Sequence, residues 1–182
     1  MSKLLKRALK VTIWPAMLMI AGKFLGILGI SSIYDLGYHI DNQIDGIFSV
    51  QICYDDSATT LFVNSISDFI MILLLALPTI YLITKNILYQ NTFQNPRTII
   101  KMTHLNILKW VTKKDTSFLS IFIWSSFLLV ASSIVVVHTI QNSTYTWTGI
   151  LSAAFGILAI WGTVKTYETE VDKIYPKENI NY

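Results

Sequence analysis

The amino-acid sequence predicts an all-α integral membrane protein built as a bundle of four transmembrane helices. Hydrophobic residues make up 53% of its 182 residues and charged residues only 14%, whereas ordinary globular chains carry about 25% charged residues. Ser67–Lys85 is uncharged from residue 69 to residue 84. At about 1.5 Å per residue, that run and its flanks approach the ~30 Å of a bilayer core. Three similar segments accompany it, which predicts a single membrane domain over residues 1–182.

The first helix is predicted at about residues 11–33, after a basic N-terminus. Its apolar run is longer than the usual 7–15-residue core of a signal peptide, so we expect a retained helix. Residues 34–66 follow as a predicted extracytoplasmic loop that contains five aspartates and neither lysine nor arginine. Within this loop, Ile47–Tyr54 and Thr59–Val63 have strand-like character around a turn, which favours a short hairpin.

The remaining helices are predicted at about residues 67–88, 117–137 and 147–164. Pro78 lies inside the second helix, removes one backbone donor and predicts a kink there. A basic loop over residues 89–114 separates the second and third helices, and Asn95-Pro96 within it reads as a helix start. The mixed basic and apolar positions that follow predict an interfacial helix. A charged tail covers residues 165–182.

The distribution of cations predicts the orientation of the chain. Four of the fourteen lysines and arginines precede residue 11, six lie between Lys85 and Lys114, and three lie in the tail. The other two connections contain none. By the positive-inside rule, both termini and the basic loop are cytoplasmic, as in a multi-pass protein of the inner or plasma membrane.

Lys23 lies near the middle of the first predicted membrane helix. A lysine at the centre of such a helix costs about 2.5–3.5 kcal/mol on insertion scales, so it indicates a partner or a function. Asp68 begins the second helix on the same side of the membrane. A snorkelling Lys23 can approach it, which predicts an intramembrane polar pair.

Small residues recur along one face of two predicted helices. Such stripes allow close approach of helix backbones in membranes, and we expect the first and fourth helices to pack through them. Self-association through one stripe is the alternative. The stripe residues are Gly22, Gly26 and Gly29 in the first helix and Gly149, Ala153 and Gly156 in the fourth.

The basic loop predicts a surface that binds anionic lipid at the cytoplasmic face. A cation close to such a surface contributes about 1 kcal/mol. Lipid is the nearest polyanion, so nucleic acid is not expected as a partner. The cations of this predicted surface are Arg97, Lys101, Lys109, Lys113 and Lys114.

The sequence offers little that indicates enzymatic chemistry. It contains no HExxH, GxSxG, phosphate-binding or dinucleotide-binding motif, and its single cysteine, Cys53, excludes a multi-cysteine metal site. We therefore expect no catalytic residue, cofactor or metal. A membrane enzyme would have to use Asp55, Asp56 and either His39 or His138.

The order of helices and loops resembles a group of small bacterial four-helix membrane proteins, the domain-of-unknown-function 2975 family. The resemblance lies in Tyr81–Trp110, where Asn-x-Phe follows the second helix and precedes a basic helical stretch, and in Lys177–Asn179 of the tail. Genes of this family often lie beside helix-turn-helix regulators. The resemblance therefore implies a membrane partner in signalling or regulation.

Two functions follow as expectations. The first is a non-enzymatic membrane protein that acts through protein or lipid contacts, in an accessory, regulatory or immunity-type role. The second is an oligomeric small transporter or channel with Lys23 near the pathway. For the chain in general we expect a protein partner or a homo-oligomer.

Overall fold

The computed structural model describes residues 3–41, 51–94, 96–105 and 118–174. Within these ranges the chain forms five helices and one two-stranded antiparallel hairpin. The elements are α1 (Lys3–Ile33), β1 (Tyr38–Asp41), β2 (Gln51–Tyr54), α2 (Ser57–Gln94), α3 (Pro96–His104), α4 (Phe118–Ile140) and α5 (Thr146–Ile174).

Four of the described helices are long and apolar enough to cross a membrane. The apolar spans are Val11–Ile33, Ser57–Leu88, Phe118–Ile140 and Thr146–Glu168. A 23-residue helix is about 34 Å long, which exceeds the ~30 Å hydrocarbon core. This is the architecture of a multi-pass membrane protein.

Helix α2 begins ten residues before the predicted boundary at Ser67, so part of the predicted outer loop is helical. Asp56 stabilises this start, because its backbone carbonyl accepts from the Thr60 N–H at 3.0 Å. Val63 is completely buried in a small apolar cluster with Ile30 and Tyr54. Contacts with the end of α1 and with β2 thus outweigh the strand preference of the β-branched residues near Thr59.

The expected hairpin between Ile47–Tyr54 and Thr59–Val63 is therefore wrong in its second strand. The observed hairpin pairs β2 with β1, with Tyr38 opposite Tyr54 and Asp41 opposite Gln51. The Tyr54 side chain is buried, and its hydroxyl lies 2.6 Å from the Ser31 hydroxyl. This contact fixes the hairpin to the end of α1.

The main core lies where α2, α4 and α5 meet. Helices α4 and α5 pack along each other, α2 contacts both, and α1 contacts α2 and α4. Helix α2 continues through Pro78 without interruption. The buried apolar residues of this core are Met71, Ile72, Leu75 and Ala76 of α2, Leu128, Ala131 and Val135 of α4, and Ala159 of α5.

The described parts of the basic loop and of the tail, which are both predicted to be cytoplasmic, are also largely helical. Helix α2 extends to Gln94, and α3, which begins at Pro96, covers the first part of the stretch predicted to be an interfacial helix, residues 97–111. Helix α5 continues ten residues into the predicted tail, to Ile174. The predicted helix-starting residue Asn95, residues 106–117 and the tail from residue 175 lie outside the described residues.

Candidate functional site

Lys23 and Asp68, the two charged residues predicted to pair inside the membrane, lie in contact. Lys23 Nζ of α1 is 2.6 Å from Asp68 Oδ1 of α2. The N–H···O⁻ bond is charge-assisted, and such bonds are about twice as strong as neutral ones. This bond connects the first two long helices.

His138 of α4 binds the second oxygen of the same carboxylate. Its Nδ1 lies 3.0 Å from Asp68 Oδ2. A hydrogen bond at this position requires the proton on Nδ1, because the carboxylate only accepts. Lys23, Asp68 and His138 therefore form one cluster, named here the polar triad, to which three helices each contribute one side chain.

Within the triad, the carboxylate is enclosed and the two nitrogen-bearing side chains are partly exposed. Asp68 is 0% exposed, whereas the side chains of Lys23 and His138 are 27% and 36% exposed. An isolated carboxylate at such a site would be very costly. Here the Lys23 charge balances it, and each oxygen has a partner. With a neutral His138 the triad has no net charge.

The triad lies close to the connection between α4 and α5. The backbone N–H of Tyr145 in this connection donates to Ser65 Oγ at 2.7 Å, and Asp68 follows Ser65 by about one helical turn. Phe69 contacts Trp147 at the start of α5, with ring centroids 5.5 Å apart. Lys23 is central in the sequence of its helix, yet it pairs at the level where α4 ends and α5 begins.

Sequence reasoning missed His138 as a member of the triad. The sequence pattern predicts that the third helix ends at Val137, which places His138 in the following loop, whereas α4 continues to Ile140. A signal is present, because Asp68 at the predicted start of one helix and His138 at the predicted end of the next lie on the same side of the membrane. Because both residues lie at the same end of the predicted bundle, the sequence allows a contact between Asp68 and His138.

The predicted packing of the first helix on the fourth is wrong. Gly22 and Gly26 of α1 face α2 instead, where an added Cβ would lie 2.9 Å from Met71 Cα and 2.5 Å from Ser67 Cα, respectively. Gly29 has no atom within 4 Å of such a Cβ. The C-terminal end of the first stripe therefore takes no part in the close approach.

The stripe of α5 packs on α4. An added Cβ at Gly149 would lie 2.5 Å from Thr139 Oγ1, and one at Gly156 would lie 2.8 Å from Ser132 Oγ. Ala153, expected in the same stripe, is exposed. A further close contact, between Gly162 and the Ile83 side chain of α2, was not predicted. The spacing of small residues identified the stripes, but it did not indicate which neighbouring helix each residue contacts.

Serine side chains join α4 to α5 in the middle of the helix pair. Ser132 Oγ donates to the Ser152 carbonyl, and Ser152 Oγ donates to the Ser132 carbonyl at 3.1 Å. Both side chains are buried. These reciprocal bonds satisfy the hydroxyls within the protein, which supports a packing role.

Two of the five predicted lipid-surface cations lie in the described residues. Arg97 and Lys101 are exposed on α3, as is Ile100. Met102 of the same helix is buried. Helix α3 thus presents cations and an apolar side chain outward while a second apolar side chain holds it to the protein. Lys109, Lys113 and Lys114 lie outside the described residues.

A cavity of about 570 Å³ opens near the start of α2. It lies between the end of β2 and the α4–α5 connection. Among the described residues, no group of three or more His, Cys, Asp or Glu side chains is placed to hold a metal ion. The cavity is lined by Tyr54, Asp55, Ser57, Ala58, Thr60, Leu61, Asn64, Asn142 and Ser143.

Comparisons with known proteins gave no match. No protein-family model, no curated protein and no solved structure matches this chain. The family resemblance of the sequence therefore stays a prediction.

Proposed function

We propose that this chain is a small non-enzymatic integral membrane protein that acts through protein or lipid contacts, in an accessory, regulatory or immunity-type role. The observation that carries this proposal is the polar triad, in which each oxygen of the enclosed Asp68 carboxylate has a partner. Its charged groups surround the enclosed Asp68 carboxylate and connect α1, α2 and α4. Charges used in this way stabilise a scaffold.

The outward faces of the two outer helices provide the contact surfaces in this proposal. Helices α1 and α5 each present a series of exposed large apolar side chains, which suits lipid or another membrane helix. Those of α1 include Ile13, Trp14, Met17, Ile20, Phe24, Leu25 and Leu28; those of α5 include Ile150, Ile157, Ile160, Trp161 and Val164.

The proposal includes a cell-membrane location with both termini and α3 in the cytoplasm. The distribution of lysine and arginine supports this orientation. In it, Arg97 and Lys101 face the anionic cytoplasmic leaflet and Ile100 enters the headgroup region, as in an interfacial helix. The resemblance to the domain-of-unknown-function 2975 family supports a regulatory membrane partner.

The test is purification of the tagged full-length protein in a mild detergent, followed by native mass spectrometry of the intact assembly. A second protein in fixed stoichiometry, bound to the wild type and displaced by bulky polar substitutions on one apolar face, supports the proposal. Ile157→Asn on α5 is such a variant. Ser133→Asn, at an exposed position of α4, is its matched control. A homo-oligomer with no second protein favours the alternative below.

The alternative is an oligomeric transporter or channel with Lys23 beside the pathway. The observation that favours it is the partial exposure of Lys23. Under this alternative, Lys23→Leu abolishes flux through proteoliposomes. The double variant Lys23→Leu/Asp68→Asn leaves no unpaired buried charge, and it separates a lost pathway from a misfolded protein. Retained flux in this double variant, or retained function without any flux, contradicts a pathway at Lys23.

A further inference from the structure

The polar triad lies close to two exposed aromatic residues at the α4–α5 connection. Tyr145 and Trp147 are 39% and 43% exposed, and both lie within one helical turn of the contact between Ser65 and the α4–α5 connection. Tyrosine and tryptophan favour the headgroup level of a membrane. Tyr167, also exposed, lies twenty residues beyond Trp147 along α5, or about 30 Å, which matches one hydrocarbon core.

Both bases of the triad keep hydrogen-bonding groups that the described residues do not occupy. A lysine ammonium has three donors, and the described residues engage Lys23 only through Asp68 Oδ1. His138 uses Nδ1 for Asp68 Oδ2, and no described residue binds its Nε2. Lys23 and His138 reach one carboxylate from adjacent helices, and both side chains are partly exposed. They therefore lie close together, each with part of its side chain exposed.

We propose that Lys23 and His138 bind the phosphate of a phospholipid headgroup at this end of the protein. A phosphodiester offers anionic acceptor oxygens, which suit the ammonium donors of Lys23 and a protonated Nε2 of His138. Asp68 is fully enclosed, and its charge is balanced by Lys23. Because Nδ1 donates to Asp68, donation from Nε2 requires the imidazolium form of His138, whose charge the bound phosphate balances.

The surroundings of Lys23 favour a lipid over a soluble phosphate compound. Ile20 and Phe24, adjacent to Lys23 on the helix surface, are 58% and 54% exposed. Exposed apolar side chains beside the cation provide a surface for acyl chains when the phosphate is bound. The site is distinct from the α3 surface, because it lies at the opposite end of α2.

The test is a binding titration of the delipidated full-length protein in detergent with dioleoyl phosphatidylglycerol. Dioleoylglycerol, which has the same acyl chains without the phosphate, is the matched ligand. The principal variant is His138→Asn, whose amide can keep a donor to Asp68 while the second ring nitrogen is removed. A second variant, Lys23→Met/Asp68→Asn, removes both charges together. Lys165→Met, at an exposed position near the other end of α5, is the control.

We expect saturable binding of phosphatidylglycerol to the wild type and to Lys165→Met, roughly tenfold weaker binding to His138→Asn, and weak binding to the double variant. Equal binding by all variants overturns the proposal. So does equal binding of dioleoylglycerol, which would show acyl contact only. Inorganic phosphate bound as tightly as the lipid would show a free-phosphate site instead. If the double variant unfolds, His138→Asn decides the result.

Discussion

The backbone N–H of Tyr145 donates a 2.7 Å hydrogen bond to the hydroxyl of Ser65, which places the α4–α5 connection against α2 one turn before Asp68. Ser65 is fully buried, and its hydroxyl in turn donates to the Leu61 carbonyl. Through this contact, the α4–α5 connection determines which part of α2 lies beside His138.

Replacement of Ser65 by alanine should therefore destabilise the protein. The Tyr145 N–H would lose its partner in a partly buried contact, and the cost should lie at or below that of an unsatisfied buried group, about 1–3 kcal/mol. Thermal unfolding in detergent measures the loss. Ser126→Ala is the matched control, because the Ser126 hydroxyl bonds only within its own helix, to the Phe122 carbonyl. Equal midpoints for the two variants would contradict a structural role for the contact.

Removal of the Asp68 charge should be more costly than removal of the whole ion pair. Asp68→Asn leaves the Lys23 ammonium without its counter-charge, and breaking one side of a buried pair costs about 3–5 kcal/mol. The low end is expected, since Lys23 keeps partial exposure. The double variant Lys23→Met/Asp68→Asn should recover part of this stability in thermal unfolding. If the double variant is less stable than Asp68→Asn alone, charge balance is not what Lys23 provides.

The glycines of α1 should differ sharply in their tolerance of one methyl group. Gly26→Ala places Cβ against the Ser67 backbone, which cannot move as a flexible side chain does, so we expect a loss of about 1–3 kcal/mol. Gly29→Ala meets no atom within 4 Å and should be neutral or stabilising by up to about 1 kcal/mol, because alanine favours the helix. Thermal unfolding of the two variants compares them directly. Equal losses would place the close α1–α2 contact elsewhere.

The sequence was sufficient to predict the helical segments, because an uncharged run as long as a bilayer is thick is typical of a membrane helix and rare in soluble proteins. It was less informative about where helices end. The charge at Asp68 marked the limit of the apolar run, but α2 begins at Ser57 because the buried contacts of Val63 continue the helix. A hydrophobic run indicates the part of a helix that crosses the bilayer. The helix itself extends beyond that run where its residues pack against other parts of the chain.

The candidate site was predictable to the extent that charge and depth define it. Lys23 and Asp68 follow from the cost of an unpaired charge in a membrane helix. His138 did not, because a small error at the end of α4 moved it into a loop. The partners of the glycines depend on which helices are adjacent, and a single sequence contains no signal for that arrangement.

The paired serines of α4 and α5 should contribute modestly. Ser132 and Ser152 exchange hydrogen bonds between helices, and such bonds in membrane proteins average about 0.6 kcal/mol, with a maximum near 1.7. Ser132→Ala and Ser152→Ala each remove one hydroxyl-to-carbonyl bond between the helices, so each should lose about 0.6 kcal/mol, and at most about 1.7 kcal/mol, of stability in thermal unfolding. Unchanged stability in both variants would indicate that the two hydroxyls are satisfied equally well by their own helices.

The native cysteine provides a direct test of the proposed orientation. Cys53 lies in β2, in the segment proposed to be extracytoplasmic, and it is the single cysteine of the chain. A membrane-impermeant maleimide should label wild-type protein in intact cells. The variant Cys53→Ser/Lys113→Cys, with its thiol in the proposed cytoplasmic loop, should be labelled only after the membrane is permeabilised. As a control, both proteins should be labelled after denaturation in detergent, which shows that each thiol reacts with the maleimide once it is exposed. Labelling of Lys113→Cys but not of Cys53 in intact cells would reverse the orientation, and would place the α3 cations on the outer surface, where the argument for cytoplasmic anionic lipid no longer applies.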